Sequence, residues 1–274
     1  MGQTVERREP DETPRVTRVE QVLPSWIAAL EARHLADLRV SEVTRALRAL
    51  SSAYVERRRD ARSRAEDAHH KVRGALDTAG KRAAFALFYA PLHFIATARV
   101  IAALGADHPG PAAIVDLGCG TGVAGAAWAL ASSSAPAVLG IDRHRWAVDE
   151  ARWTYAHLGV RGRSRVADVR HLPSAREGSA FIAAYVLNEL GDAARRRVED
   201  GLLAAVDHGA RVLVVEPISR AITPWWESTA ERVVAIGGRA DEWRVPIDLP
   251  PVLKLLDRAA GLRHQDLRFR TLFV

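Results

Sequence analysis

A chain of 274 residues with 48% hydrophobic content has the length for one α/β domain of ordinary size plus an extra helical segment, and can bury a full core. No apolar run approaches the roughly 20 residues of a membrane-spanning helix and the charged N-terminal stretch lacks the apolar centre of a secretory signal, so a soluble, cytoplasmic protein with no membrane partner is expected. The net charge is +6 and the single cysteine, Cys119, excludes an internal disulfide or a cysteine-built metal cluster, so no metal is expected.

Residues 1–18 combine charge with Pro10 and Pro14 and show no period, which predicts a flexible tail. Pro24-Ser25 predicts a helix start with Ser25 as N-cap ahead of Trp26, Ile27 and Leu30. Ser41 is placed to cap a second helix through Val43, Leu47 and Leu50, with Tyr54 extending the apolar face and Arg57, Arg58 and Arg59 on its polar side. Residues 45–82 hold 11 basic against 5 acidic side chains, a net of +6, whereas 111–274 sum to +2. Such a localised basic segment fits a phosphate footprint and equally a solvated arginine face. The apolar stretch from Lys81 to Leu104 is broken by Pro91, which should kink or divide it. Residues 19–104 therefore read as a helical N-terminal region, in which Tyr89 and His93 either fold over the cofactor or, as aromatic residues of an apolar helix, belong to the core, and Gly105 to Pro111 reads as a linker.

Beyond Pro111 short apolar runs alternate with helical stretches, the pattern of a parallel sheet with crossover helices. Strands are predicted near 112–116, 137–141, 163–167, 180–185 and 211–215. Helices are predicted near 122–131, 145–157, 192–206, 224–235 and 249–260, and a terminal strand near 264–273.

The strand Ala112-Ala-Ile-Val-Asp116 runs into Gly118-Cys-Gly120-Thr-Gly122. Glycines there permit a tight strand-to-helix turn and close approach of a ligand to the backbone. Gly120-Thr-Gly122-Val-Ala-Gly125 also satisfies the dinucleotide pattern G-x-G-x-x-G, so a nicotinamide or flavin cofactor competes with S-adenosyl-L-methionine. Three carboxylates favour the latter. Asp116 stands where it would receive the cofactor's ammonium group, directly or through water, and would repel a pyrophosphate. Asp142, at the end of the second strand, would accept both ribose hydroxyls. Asp168, at the end of the third, would accept from the adenine amino group, with Val169 beside the ring. Gly118, Cys119, Gly120, Gly122 and Tyr185 complete the cofactor set, with Cys119 contributing its backbone alone.

Further motifs carry a resemblance along most of residues 20–274: Leu50-Ser-Ser-Ala-Tyr54, Tyr89-Ala-Pro-Leu-His-Phe94, Val115 to Gly122 continuing into Ala127-Trp-Ala129, Tyr185-Val-Leu-Asn-Glu-Leu190, Val214-Val-Glu-Pro217, and more weakly Leu267 to Val274. With these the chain resembles the methyltransferase-like family of the mitochondrial small ribosomal subunit and its bacterial relatives. The resemblance implies a class I methyltransferase, with a Rossmann-like, mostly parallel α/β sheet, an antiparallel C-terminal strand and a helical N-terminal region. Residues 105–274 would then form the S-adenosylmethionine-binding domain, and the role would be methylation of small-subunit ribosomal RNA or ribosome assembly. The chain departs from the family in two places. Gly237 to Leu256 holds no cysteine cluster, and Ile218-Ser-Arg220 replaces a glycine-containing turn.

Methyl transfer needs an aligned nucleophile, and ligands of open α/β sheets bind beyond the carboxyl ends of the strands. Asn188 and Glu189 are therefore the catalytic candidates, one to orient the acceptor and one to accept its proton; the alternative is a helix cap and a solvated carboxylate. Glu216 and Trp225-Trp226 are candidates to line an acceptor pocket, with a buried anchor as the alternative for the indoles. No Asn-Pro-Pro-Tyr or Asp-Pro-Pro-Tyr sequence is present, which weakens methylation of an exocyclic adenine amine. Three readings follow: a ribosomal RNA methyltransferase contacting RNA through the basic 45–82 segment, a small-molecule methyltransferase, and a non-catalytic assembly factor retaining the fold.

Overall fold

The computed structural model describes residues 18–60 and 76–274, with the backbone alone over 53–60. The expectations for the tail, for Tyr54 and for the arginine side chains from Arg57 to Arg64 lie outside the described residues.

Helix α1 spans Arg18–His34 and runs through Pro24 rather than starting there. Burial of Val19 extends the helix N-terminally, and the Ser25 hydroxyl donates to the Val22 carbonyl at 3.0 Å instead of capping. Helix α2 covers Val40–Asp60. Its first turn is closed by Glu42, whose carboxylate accepts the Arg39 N–H at 2.8 Å, half of a capping box; Ser41 lies inside that turn. Helix α3, Ala79–Ala84, is capped by Thr78 and passes through a π-helical segment, Phe85–Tyr89, into α4, Ala90–Leu104. Pro91 explains the change of register. It has no N–H to donate and its ring crowds the preceding turn. The Ala90 N–H instead reaches back five residues to the Phe85 carbonyl, so Pro91 falls in the first turn of α4, where proline is tolerated.

The joined stretch Ala79–Leu104 is, by length and composition, apolar enough to cross a membrane, against the expectation that no segment is. Here its apolar face, including Leu87, Phe88, Phe94, Val100 and Ile101, is buried inside the protein.

The remaining elements are β1 (Ala113–Leu117), α5 (Val123–Ala131), β2 (Ala137–Asp142), α6 (Arg145–His157), β3 (Gly162–Val166), β4 (Ala180–Ala184), α7 (Asp192–Asp207), β5 (Arg211–Pro217), α8 (Trp226–Ala235), β6 (Arg239–Pro246), α9 (Pro251–Ala260) and β7 (Asp266–Phe273). They build one sheet in the order β3-β2-β1-β4-β5-β7-β6. Only β7 runs against its neighbours, so the sheet is mostly parallel with an antiparallel C-terminal strand, as expected. Strand β6 is the element that the sequence did not reveal. It is an edge strand with charged side chains at Arg239, Asp241, Glu242 and Arg244, and its apolar members, Trp243 and Val245, are half-buried. Charge on an exposed edge protects against strand addition and hides the strand's period.

The sheet separates two cores. On one face Trp26, Leu47, Phe88, Phe94, Trp128 and Phe269 belong to a single buried cluster, so the N-terminal helices share their core with the sheet. On the other, Leu117, Ile141, Phe181 and Leu202 pack with Trp225 and Trp226. A polar tie fixes α1 to α6. The buried Glu150 carboxylate accepts from Arg33 Nε at 3.1 Å to each oxygen and pairs with His34 Nε2 at 2.8 Å. Arg33 is 41% exposed, so solvent screens its share. Replacing Glu150 with Ala should cost about 1–2 kcal/mol, read as a lower urea midpoint at unchanged m-value; an unchanged midpoint would mean that this tie does not hold the helix.

Candidate functional site

The sheet order reverses between β1 and β4, the switch point where open α/β sheets bind ligands beyond the carboxyl ends of their strands. Strand β1 delivers the glycine loop to this point. Gly118, Gly120 and Gly122 all take positive φ, at 63°, 51° and 81°, which side chains rarely adopt. A Cβ on Gly118 would collide with the Val186 side chain, so that glycine lets the segment after β4 approach the loop.

Asp116 is 1% exposed. Its Oδ2 accepts the Gly125 N–H at 2.8 Å, and a Cβ on Gly125 would lie 2.9 Å from the same oxygen. Gly125 is the third residue of α5, and its amide is one of those a helix leaves open at its start. A pyrophosphate bound at a helix N-terminus would use those amides; here a carboxylate lies beneath them. The loop therefore fits a cationic amino-acid group better than a dinucleotide. Burial pushes the Asp116 carboxyl up to about 7. The Thr121 hydroxyl, in the same loop, is buried without a protein hydrogen bond.

Asp142 ends β2 and bridges two backbone amides, accepting from Gly120 N–H at 3.0 Å and from His144 N–H at 2.8 Å. It thus joins the glycine loop to the start of α6. Asp168 lies beyond β3 in an ion pair with Arg170 at 2.5 Å, and that hydrogen bond holds its carboxyl down at about 2. Val169 is buried with Leu117 and Ile141. Cys119 donates its N–H to the Ile141 carbonyl at 3.0 Å, and burial pushes its thiol up.

Tyr185, the first residue after β4, has φ of 58°, a strained conformation for an aromatic residue. Its ring stacks on His93, with centroids 4.0 Å apart and planes 16° from parallel. Tyr89 stands 6.1 Å from His93, and Phe85 lies 6.2 Å from Tyr89. A Cβ on Gly120 would touch the Phe85 ring at 3.5 Å. The π-helical turn and α4 therefore lay an aromatic series, Phe85, Tyr89, His93 and Tyr185, over the glycine loop. His93 and Tyr89 are half-buried and belong both to this row of rings and to the core, the two placements that the sequence offers. Phe85 carried no motif of its own; a π-helical turn, common at functional sites, was foreshadowed only by Pro91.

The acceptor-side candidates are rearranged relative to expectation. Glu216 is fully buried and lines no pocket. It accepts from the Leu187 N–H at 2.8 Å, the Asn188 N–H at 3.3 Å and Asn188 Nδ2 at 2.5 Å, holding the turn Leu187–Glu189 from below. Asn188 is accordingly not a helix cap; Gly191 precedes α7. Burial raises the Glu216 carboxyl to about 8. Glu189 is exposed. Trp225 and Trp226 are 8% and 4% exposed and anchor α8 in the second core, with Arg195 and Arg270 over their rings at 5.2 and 5.0 Å. Among the described residues no group of His, Cys, Asp or Glu could hold a metal ion.

Residues 114–209 match a family described as a methyltransferase domain. No curated protein matches the chain by sequence. In fold, the chain is similar to mitomycin 7-O-methyltransferase MmcR, at 16% identity with a TM-score of 0.50, over 92% of this chain and 73% of that one. It is also similar, at TM-scores of 0.44, to PH1948 of Pyrococcus horikoshii, a candidate RNA methyltransferase (16% identity, 67% of this chain, 82% of that one), and to magnesium protoporphyrin IX methyltransferase from Synechocystis with bound S-adenosylhomocysteine (14%, 66% and 82%). The sheet order, the glycine loop and the matched region define a class I methyltransferase. It is an S-adenosylmethionine-dependent enzyme.

The two raised carboxyls set a pH dependence. Groups whose folded pKa lies above the unfolded value stabilise fully below the unfolded pKa and lose that contribution as pH rises through the folded one. Asp116 shifts from 3.8 to about 7 and Glu216 from 4.5 to about 8, so thermal stability should be greatest near the acidic end of the window from about pH 4 to 8 and fall across it. In an Asp116→Asn/Glu216→Gln double variant the fall should flatten, as followed by calorimetric Tm; an equal slope in both proteins would contradict the assignment.

Proposed function

We propose that the protein transfers a methyl group from S-adenosylmethionine to a base of small-subunit ribosomal RNA, during or after assembly of that subunit. The observation that carries this reading is the aromatic series Phe85, Tyr89, His93 and Tyr185 over the glycine loop. Flat faces of this kind hold unstacked bases. The resemblance to the ribosomal methyltransferase-like family and the basic excess within 45–82 support the same acceptor.

The bound cofactor supplies a sulfonium methyl group, an electrophile that needs an aligned nucleophile and little else. In this reading Asp142 takes the ribose hydroxyls, exchanging or sharing its bonds to Gly120 and His144. Asp168 faces the adenine amino group with Val169 against the ring, and Asp116 attracts the ammonium group from beneath the loop. Asn188, whose Nδ2 is held by Glu216, keeps its carbonyl oxygen for an acceptor N–H, and Glu189 is the exposed carboxylate beside it. His93 is a further candidate. Burial lowers its pKa to about 4, so the imidazole is neutral at pH 7 and can accept a hydrogen bond or a proton that becomes acidic as the new C–N or C–O bond forms. His93→Phe should keep the stack on Tyr185 and cofactor affinity within about twofold. It should lower kcat by roughly 10², and an unchanged kcat would remove His93 from the chemistry.

A second reading, a small planar metabolite as acceptor, is favoured by the helical cover over the site and by the likeness to a mitomycin methyltransferase along 92% of the chain. Labelled S-adenosylmethionine offered with small-subunit RNA and with a metabolite extract separates the two. Label should enter RNA; label confined to metabolites would support the second reading, and transfer to neither would leave an assembly factor that retains the fold.

A further inference from the structure

The connection from β3 to β4, residues 167–179, contains no helix. In a doubly wound sheet crossover helices normally cover both faces. Here α6 covers one face of β3, where Ser164 donates to the Val148 carbonyl at 2.6 Å. On the other face the crossing loop packs Leu172 near α7, so that a Cβ on Gly201 would lie 3.2 Å from it, and the outermost strand is left open. Arg163 and Arg165 stand on that open face, in register with Leu139 and Ile141 of β2. Both are exposed, and neither guanidinium has a hydrogen bond or ion pair among the described residues. Arg161 continues the row, held by the Ala135 carbonyl at 2.8 Å.

Across residues 143–176 there are 8 arginines against 3 carboxylates, a net of +5. The modest +2 over 111–274 conceals this region. One of the three carboxylates, Glu150, is buried against α1. Arg143, directly after Asp142, is exposed and links the mouth of the cofactor site to the row on β3.

We propose that the open face of β3, with Arg163 and Arg165 at its centre, is a second contact for the RNA backbone, distinct from the basic 45–82 segment and lying on the methyltransferase domain itself. The inference rests on the reading that RNA is the acceptor. Side chains two residues apart on one strand face are separated by about 6.6 Å, a spacing comparable with that of successive phosphates on an extended single strand. Guanidinium forks match phosphate oxygens in pairs. The competing role for these arginines is to protect a sheet edge, which requires charge but no ligand.

The test measures binding of a labelled single-stranded oligoribonucleotide by fluorescence anisotropy between 50 and 200 mM salt, the range over which phosphate contacts lose affinity by orders of magnitude. Arg163→Gln/Arg165→Gln should reduce the slope of log K against log salt by about 1.4, at about 0.7 per lost single-strand contact. Cofactor affinity and Tm should not change. The Arg163→Lys/Arg165→Lys variant should keep most of the slope, and Arg258→Gln, on α9, should keep all of it. RNA binding in the wild type with the same slope in the Gln variant would overturn this contact and leave the RNA reading intact, whereas no RNA binding by the wild type would overturn both.

Discussion

The shape of the glycine loop depends on one hydrogen bond, from the Gly125 N–H to the buried Asp116 carboxylate. Strand β1 must turn at once into α5 for the glycine loop to open at the switch point of the sheet, and that turn leaves the first amides of the helix without intrahelical partners. A carboxylate from the strand end satisfies one of them from beneath. The approach is so close that only glycine fits at position 125. The same carboxylate makes the loop electrostatically unsuited to a pyrophosphate. Asp142 repeats the device at the next strand, joining the loop to α6 through Gly120 and His144.

A second buried carboxylate organises the segment that follows β4. Glu216 holds the turn Leu187–Glu189 through three donors, and the strained backbone of Tyr185 directs its ring onto His93. The N-terminal helices are therefore part of the site as well as of the core. Pro91 forces the π-helical turn, the turn presents Phe85 and Tyr89, and Phe85 closes over Gly120. A change in helix register thereby becomes a row of aromatic rings beside the glycine loop.

Much of this was legible in the sequence because it is periodic. The parallel strands and their helices fall within a few residues of their predicted positions, since buried strands such as Ala113–Leu117 and amphipathic helices such as Arg145–His157 carry unambiguous patterns. Strand β6 was not legible, because only Trp243 and Val245 mark its inward period among charged neighbours. The start of α1 was misread at Pro24 because burial of Val19 outweighs the proline signal. Glu216, a candidate pocket residue, is a buried support, and of the two roles open to Trp225 and Trp226 the structure shows the buried anchor. Their residue types announce function, but only the packing around them shows that their polar atoms and rings face inward. Phe85 and the row Arg161, Arg163 and Arg165 went unnoticed, because the former acquires meaning only from the π-helical turn and the latter only from the missing crossover helix.

The central claim is that the turn from Asp116 to Gly122, braced by Asp142, is a binding site for S-adenosylmethionine. The most direct measurement is calorimetric titration of the 274-residue chain and of its Asp142→Ala variant with S-adenosylmethionine and, in parallel, with NAD. The wild type should bind S-adenosylmethionine at one site and give no heat with NAD, and Asp142→Ala should remain folded with binding weakened by at least about tenfold, the loss of one charge-assisted hydrogen-bonding group. Binding of NAD in place of S-adenosylmethionine, or S-adenosylmethionine affinity indifferent to Asp142, would contradict the account.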